Sequence, residues 1–338
     1  AMSSLVPAVF AIGASPPAAA AGRLNLYCAY PDAALCGAIA QGFARAHDVQ
    51  VSVVQKPTGE LLAQIVAEAR NPRGDVWWAG TGDVFLQAAE KGVLDVYRSP
   101  RLPELHDWAV REAQASGYRA VGIYGAVLVL AYNHELLRKK HLSAPQCWKD
   151  LLRPEYRGEI EVSNPSSSGT AYLTLATWVQ LFGEDAAFRF VRNLNGSISS
   201  YARSGAGPLK AVARGEATVG VAVQHGVVNE QANGFPVDMS WPCEGTGQEI
   251  GSMAIIRNAR HLENARLFYD WALSREAQEL PFAVGQYPLP ANKTARPPAG
   301  LQVPPSARRI AYDYARFGAS AERKRLLARW NAAVNDAP

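Results

Sequence analysis

Residues 23–83 read RLNLYCAYPDAALCGAIAQGFARAHDVQVSVVQKPTGELLAQIVAEARNPRGDVWWAGTGD, and this stretch decides the fold. Residues 23–30 form a strand candidate, and Pro31-Asp32 opens a helix whose Leu35, Ala38, Ile39 and Phe43 recur at helical spacing. Residues 49–55 are a second strand candidate. Pro57-Thr58-Gly59 follows, then a helix with Leu61, Leu62, Ile65 and Val66 on one face. Residues 75–79 are a third strand, and Gly80-Thr81-Gly82-Asp83 leads into a helix carrying Val84, Phe85 and Ala88. Strand, polar turn and helix, three times in succession, predict a parallel sheet with crossover helices.

Further along, the apolar run 121–132 interrupts this rhythm and is the expected passage between two lobes. A second strand-helix series begins after it: a strand at 159–163, the loop Asn164-Pro165-Ser166-Ser167-Ser168-Gly169-Thr170, a helix over 171–182 and a strand at 217–223. Residues 251–257 read as a return strand, and Leu262, Ala265, Phe268, Tyr269 and Ala272 mark another helix. A proline-rich stretch, 287–305, is expected to wrap over the surface, and a basic amphipathic helix closes the chain. The predicted organisation is a tail or signal-peptide remnant over 1–22, a discontinuous first lobe of 23–127 plus 250–338, and a second lobe of 128–249.

A chain of 338 residues exceeds one comfortable core, which agrees with two lobes. Nearly half of it is hydrophobic and it has 8 Trp, so it is read as a packed globule. The formal net charge of +4 includes no block of five or six basic residues, so no nucleic-acid partner is expected; the mild positive balance favours a small anion. Residues 1–22, AMSSLVPAVFAIGASPPAAAAG, resemble the apolar and cleavage regions of an export signal, and a periplasmic location is expected. Cys28, Cys36, Cys147 and Cys243 suit up to two disulfides in an oxidising compartment, and none has C-x-x-C spacing. Cys28 with Cys36 is the local pairing to test first, although spacing leaves connectivity open.

In open parallel sheets ligands bind beyond the carboxyl ends of strands, where helix N-termini present unpaired N–H groups and partial positive charge. Four loops rich in glycine and hydroxyls are therefore candidates. Ser167, Ser168, Gly169 and Thr170 come first; Thr58 with Gly59, Gly80 with Thr81, and Ser204 with Gly205 follow. Ordinary capping by one hydroxyl would account for each loop taken alone. Asp32 opens the first helix beside the same edge, while His225 and Glu244 each follow an apolar run and are candidates to bond an organic ligand. Enzyme signatures are missing: the chain has no G-x-S-x-G, no H-E-x-x-H and no G-x-x-x-x-G-K-[ST], and no cofactor or metal set is expected.

Four segments, 75–83 (DVWWAGTGD), 164–170 (NPSSSGT), 241–251 (WPCEGTGQEIG) and 264–274 (NARLFYDWALS), resemble the type II periplasmic binding proteins of ferric-iron, phosphonate and hexose-phosphate importers, most closely the hexose-phosphate binders. The resemblance runs from about residue 23 to 294. It implies a two-lobed α/β Venus-flytrap fold, each lobe a mainly parallel sheet flanked by helices, and a monomer that delivers a small anionic ligand to the membrane permease of an ABC importer. Iron-binding members commonly use adjacent tyrosines, whereas this chain has no Tyr-Tyr pair and offers only Tyr201 in the corresponding region. In sugar-phosphate members the resemblance implies His, Asp and Glu contacts to the sugar; the matching positions read as His225, Gly226 and Glu244, without the Asp. The expected ligand is a hexose phosphate or a phosphonate. The alternatives are ferric iron on the same fold, or a transferase or hydrolase with Glu244 or His225 as acid or base.

Overall fold

The computed structural model describes residues 22–298, 301, 303–305 and 307–335. All but the last residue of the segment read as an export signal lies outside the described residues. In chain order the first elements are β1 (Gly22–Cys28), α1 (Ala33–His47), β2 (Val49–Gln55), α2 (Thr58–Ala67), β3 (Val76–Thr81), α3 (Gly82–Glu90) and α4 (Asp107–Ala115). The middle of the chain gives β4 (Val121–Asn133), α5 (His134–Lys139), β5 (Ile160–Ser163), α6 (Gly169–Phe182), α7 (Glu184–Asn195), β6 (Ile198–Ala202), α8 (Gly207–Arg214), β7 (Val219–Val223) and α9 (Gln224–Ala232). After these come β8 (Val237–Ser240), β9 (Gln248–Ile255), α10 (Leu262–Ala272), α11 (Arg275–Ala283), β10 (Leu289–Pro290), α12 (Tyr314–Phe317) and α13 (Ser320–Asn335). None of the described helices is long and apolar enough to cross a membrane.

One sheet path, β2-β1-β3-β9-β4-β7-β5-β6, runs through the molecule, with β8 and β10 added along β4. β1 pairs in parallel with β2 and β3, and β5 pairs in parallel with β6 and β7, so each lobe has a parallel trio. The inner strands β3 and β7 are covered on both faces and read as continuous apolar runs, whereas β2 and β6 at the two sheet edges are only partly buried. Successive β3 residues show the two-residue period: Trp78 enters the core with Leu26 and Phe43, while Trp77 enters the opposite layer and stacks on Phe85 at 4.0 Å. In the second lobe Leu128 and Leu130 face one layer, and Val129 and Ala131 the other.

The 13-residue β4 is the passage anticipated from its apolar run. Val121–Val127 pairs with β9, and Leu128–Tyr132 pairs with β7. The proline-rich stretch differs from expectation: Leu289–Pro290 pairs with β4, and Ala291 and Asn292 are fully buried. Prolines sit at this short edge because it asks little of their missing N–H.

The chain end also corrects the expected partition. Residues 250–338 were assigned to the first lobe, yet Tyr312, Phe317, Leu326 and Trp330 pack in the second core with Phe188 of α7. Glu184 at the start of α7 takes Arg316, Arg325 and Arg329 at the rim of that contact, which fixes where α13 lies. Two disulfides form, Cys28–Cys36 and Cys147–Cys243.

Candidate functional site

The turns at the carboxyl ends of β3 and β5, with the starts of α2 and α8, converge between the lobes on a cavity of about 870 Å³. A second compartment of about 760 Å³ adjoins it, and the two share Tyr30, Tyr124, Thr170, Gly205, Lys210 and Glu249 as walls.

The first compartment is built from helix beginnings. Thr58 starts α2, Thr81 precedes α3, Ser168 precedes α6, and Ser204, Gly205 and Ala206 precede α8. Each helix start leaves backbone N–H groups without intrahelical partners and carries partial positive charge. Gly80 is required here: its φ is +111°, and a Cβ would lie 2.8 Å from Thr58 Cγ2. Gly169 lets α6 start directly against the opposite lobe, since a Cβ would lie 2.1 Å from Thr81 Oγ1. Among the hydroxyls, Ser168 Oγ accepts from the Ala171 N–H at 3.2 Å, while Ser167 donates to the Arg203 carbonyl at 2.8 Å and ties the loop down. Thr81 Oγ1 is buried without a partner among the described residues. Lys56 and Lys210 supply the formal positive charge in the described lining, which contains no arginine.

The second compartment is aromatic and hydrogen-bonding. Tyr30 and His225 stack with centroids 6.2 Å apart, and Tyr124 presents its edge to both. Burial lowers His225 to about 4, so the ring is neutral near pH 7; its Nδ1 has no partner among the described residues. Burial also raises both tyrosines far above the usual phenol range. Asp32 Oδ1 caps α1, accepting from Ala34 N–H at 2.7 Å, and its Oδ2 accepts from Gln286 Nε2 at 3.1 Å. Gln286 Oε1 accepts from Asn229 Nδ2 at 2.6 Å, a bond between the lobes. Thr170 Oγ1 donates to Glu249 Oε2 at 2.8 Å, and burial raises Glu249 to about 7. Glu249 thus stands near the balance between acceptor and donor at neutral pH.

The structure brings together Asp32, Thr58, Gly80, Thr81, Ser167, Ser168, Gly169, Thr170, Ser204, Gly205 and His225. Gly59 lies just behind, where a Cβ would meet the Ser167 carbonyl at 3.3 Å. Gly226 lines the second compartment. Glu244 is a correction: its carboxylate accepts from Trp148 N–H at 2.8 Å and Lys149 N–H at 3.1 Å, capping a short helix beside Cys147–Cys243, away from the cleft. Glu249 takes its expected place. The sequence does carry a signal for it, a carboxylate inside an apolar strand, opposite in period-two phase to Gln248 and Ile250. Tyr30, Tyr124, Lys56, Lys210, Asn229 and Gln286 were also not anticipated as lining residues. Tyr201 points elsewhere, donating to Asn195 Oδ1 at 2.6 Å and meeting Trp330.

Two α/β lobes joined by shared strands, with helix N-termini from both facing one cleft, define the class of two-lobed periplasmic binding proteins. Residues 75–318 match the family described as bacterial extracellular solute-binding protein, and the chain belongs to it. It is 39% identical to an uncharacterised protein of Haemophilus influenzae over 97% of this chain and 94% of that one. It is 22% identical to a putative 2-aminoethylphosphonate-binding periplasmic protein of Salmonella typhimurium, over 70% of this chain and 68% of the relative. Among solved structures it is similar to the periplasmic binding protein AfuA of Actinobacillus pleuropneumoniae with exogenous fructose-6-phosphate bound. That match has 40% identity and a TM-score of 0.89, covering 93% of this chain and 99% of the other.

Proposed function

We propose that this chain is the periplasmic binding protein of an ABC importer and captures a small phosphorylated organic ligand, a hexose phosphate or a phosphonate, between its lobes. One observation carries the reading: four helix N-termini, two from each lobe, open on one compartment whose described lining has hydroxyls and two lysines but no arginine. A phosphoryl group accepts many hydrogen bonds at once, and such a ring of N–H and O–H donors suits it. The adjoining compartment then takes the organic part, with Tyr30, Tyr124 and neutral His225 against its faces and Asp32, Asn229 and Glu249 for its polar groups. Phosphorylated or phosphonate ligands named for the relatives agree with this chemistry. Ferric iron is less well supported, because the chain has no adjacent tyrosine pair and Tyr201 lies outside the cleft. The protein acts as an exported monomer that hands its ligand to a membrane permease and performs no turnover.

Calorimetric titration with fructose 6-phosphate, 2-aminoethylphosphonate and inorganic phosphate tests this. Ser168→Ala should weaken every phosphorylated compound by roughly 10- to 150-fold, the loss of a charge-assisted bond of about 1.5–3 kcal/mol. His225→Ala should change the ranking of the organic compounds while sparing inorganic phosphate. Equal affinities in parent and Ser168→Ala would place the anion elsewhere.

A further inference from the structure

Three arginines ride on α13, and two of them are ordinary. Arg325 and Arg329 are paired at the surface with Glu184, Glu322 and Asp185. Arg323 is different, being only 9% exposed. Its guanidinium lies 4.4 Å over the Tyr172 ring, and its Nη2 donates to the Pro165 carbonyl at 3.2 Å. Its Nη1 has no hydrogen-bond partner among the described residues. Pro165 begins the loop whose far end, Ser167 to Thr170, lines the first compartment.

Across the lobe contact lies Asp83, next but one to Thr81 and 1% exposed. One of its oxygens accepts from the Val84 N–H at 3.0 Å, and the other has no partner among the described residues. Burial pushes Asp83 up toward its neutral acid, against the pull of Arg323. A guanidinium is a permanent cation, and among the described residues Arg323 forms no ion pair and leaves its Nη1 without a partner, so no counter-ion touches it beneath the loop. A buried cation without a counter-ion is costly, and an anion arriving on the other side of the loop relieves that cost.

We infer that Arg323 is the buried counter-charge of the bound anion, acting through the Pro165–Thr170 loop that it holds from behind. It is a positioning residue, outside the lining of the cleft, and the inference rests on the anion-binding reading above. It separates from a purely structural role by sign: a strut stabilises the empty protein, whereas an unpaired cation does not.

The test compares parent, Arg323→Gln and Arg323→Lys, measuring affinity for fructose 6-phosphate, inorganic phosphate and sulfate together with the melting temperature of the ligand-free protein. Arg323→Gln should weaken all bound anions about tenfold while the empty protein melts no lower than the parent; Arg323→Lys should recover affinity to within about threefold. The inference is overturned if Arg323→Gln binds like the parent. It is equally overturned if both variants lose affinity alike and melt lower when empty, the pattern of a strut. A parent that binds phosphate or sulfate but no organic phosphate would sink the proposed ligand class and leave the Arg323 comparison readable on the inorganic ion. A parent that binds no anion would overturn both.

Discussion

Replacing Gly169 with alanine should prevent the lobes from meeting as they do here. Gly169 is the first residue of α6, and an added Cβ would stand 2.1 Å from Thr81 Oγ1, 2.8 Å from its Cγ2 and 3.0 Å from its Cβ. Thr81 is β-branched, 3% exposed and fixed in the turn before α3, so it cannot swing aside. The lobes must then part by about 1 Å at this point, an overlap of the size that costs roughly 1–3 kcal/mol in a packed interior. That cost falls on the closed form alone, because the methyl group points across the cleft and alanine suits a helix better than glycine. Affinity for a ligand held by both lobes should fall about 5- to 150-fold, and the ligand-free protein should melt at or slightly above the parent temperature. Calorimetry with fructose 6-phosphate and small-angle scattering, each with and without ligand, read the two effects. Thr81→Ala removes the obstructing atoms, so the double variant should recover part of the loss, with a coupling of at least about 0.5 kcal/mol. Unchanged affinity and an unchanged ligand-induced compaction in Gly169→Ala would refute the claim that Gly169 and Thr81 abut in the bound form.

Removing the 96-residue cross-link with Cys147→Ser and Cys243→Ser should cost about 2–5 kcal/mol in urea unfolding, yet move ligand affinity less than about twofold, because the bond lies outside the cleft lining. An unchanged unfolding free energy would show that the pair does not close in solution. Arg325, with Arg329, holds Glu184 down at about 2 against an ordinary 4.5. A folded-state value below the unfolded one means stabilisation that is present above about pH 4.5 and lost as pH falls toward 2. The protection factors of α13 amides, corrected for the intrinsic pH dependence of exchange, should therefore fall over that acid range in the parent, and already be reduced at pH 7 in Glu184→Gln; identical protection profiles would count against the clamp.

The parallel trio of the first lobe was legible because strand and helix alternate without interruption, and β2 was read with its observed bounds, Val49–Gln55. β6 was missed: Ile-Ser-Ser-Tyr-Ala is an edge strand, only partly buried, without a clear apolar run. The loops that line the first compartment were legible as helix beginnings because glycine and hydroxyls before a helix have a local physical meaning. Glu244 and Glu249 were not separable that way. Both follow Trp241 within ten residues, and only the β9 pairing and the Cys147–Cys243 bond decide which one faces the cleft. The docking of α13 was equally out of reach, since an amphipathic helix does not name the surface it covers; here Glu184 and Phe188 name it.

That docking has a practical consequence. β1, near one end of the described chain, belongs to the first lobe's sheet, while α13, near the other end, is anchored in the second lobe's core. A donor and an acceptor fluorophore attached beyond these two elements would ride on opposite jaws. Energy transfer between them would then follow the angle of the jaws in real time, turning the protein into a reporter of its own cargo without a label placed in the cleft.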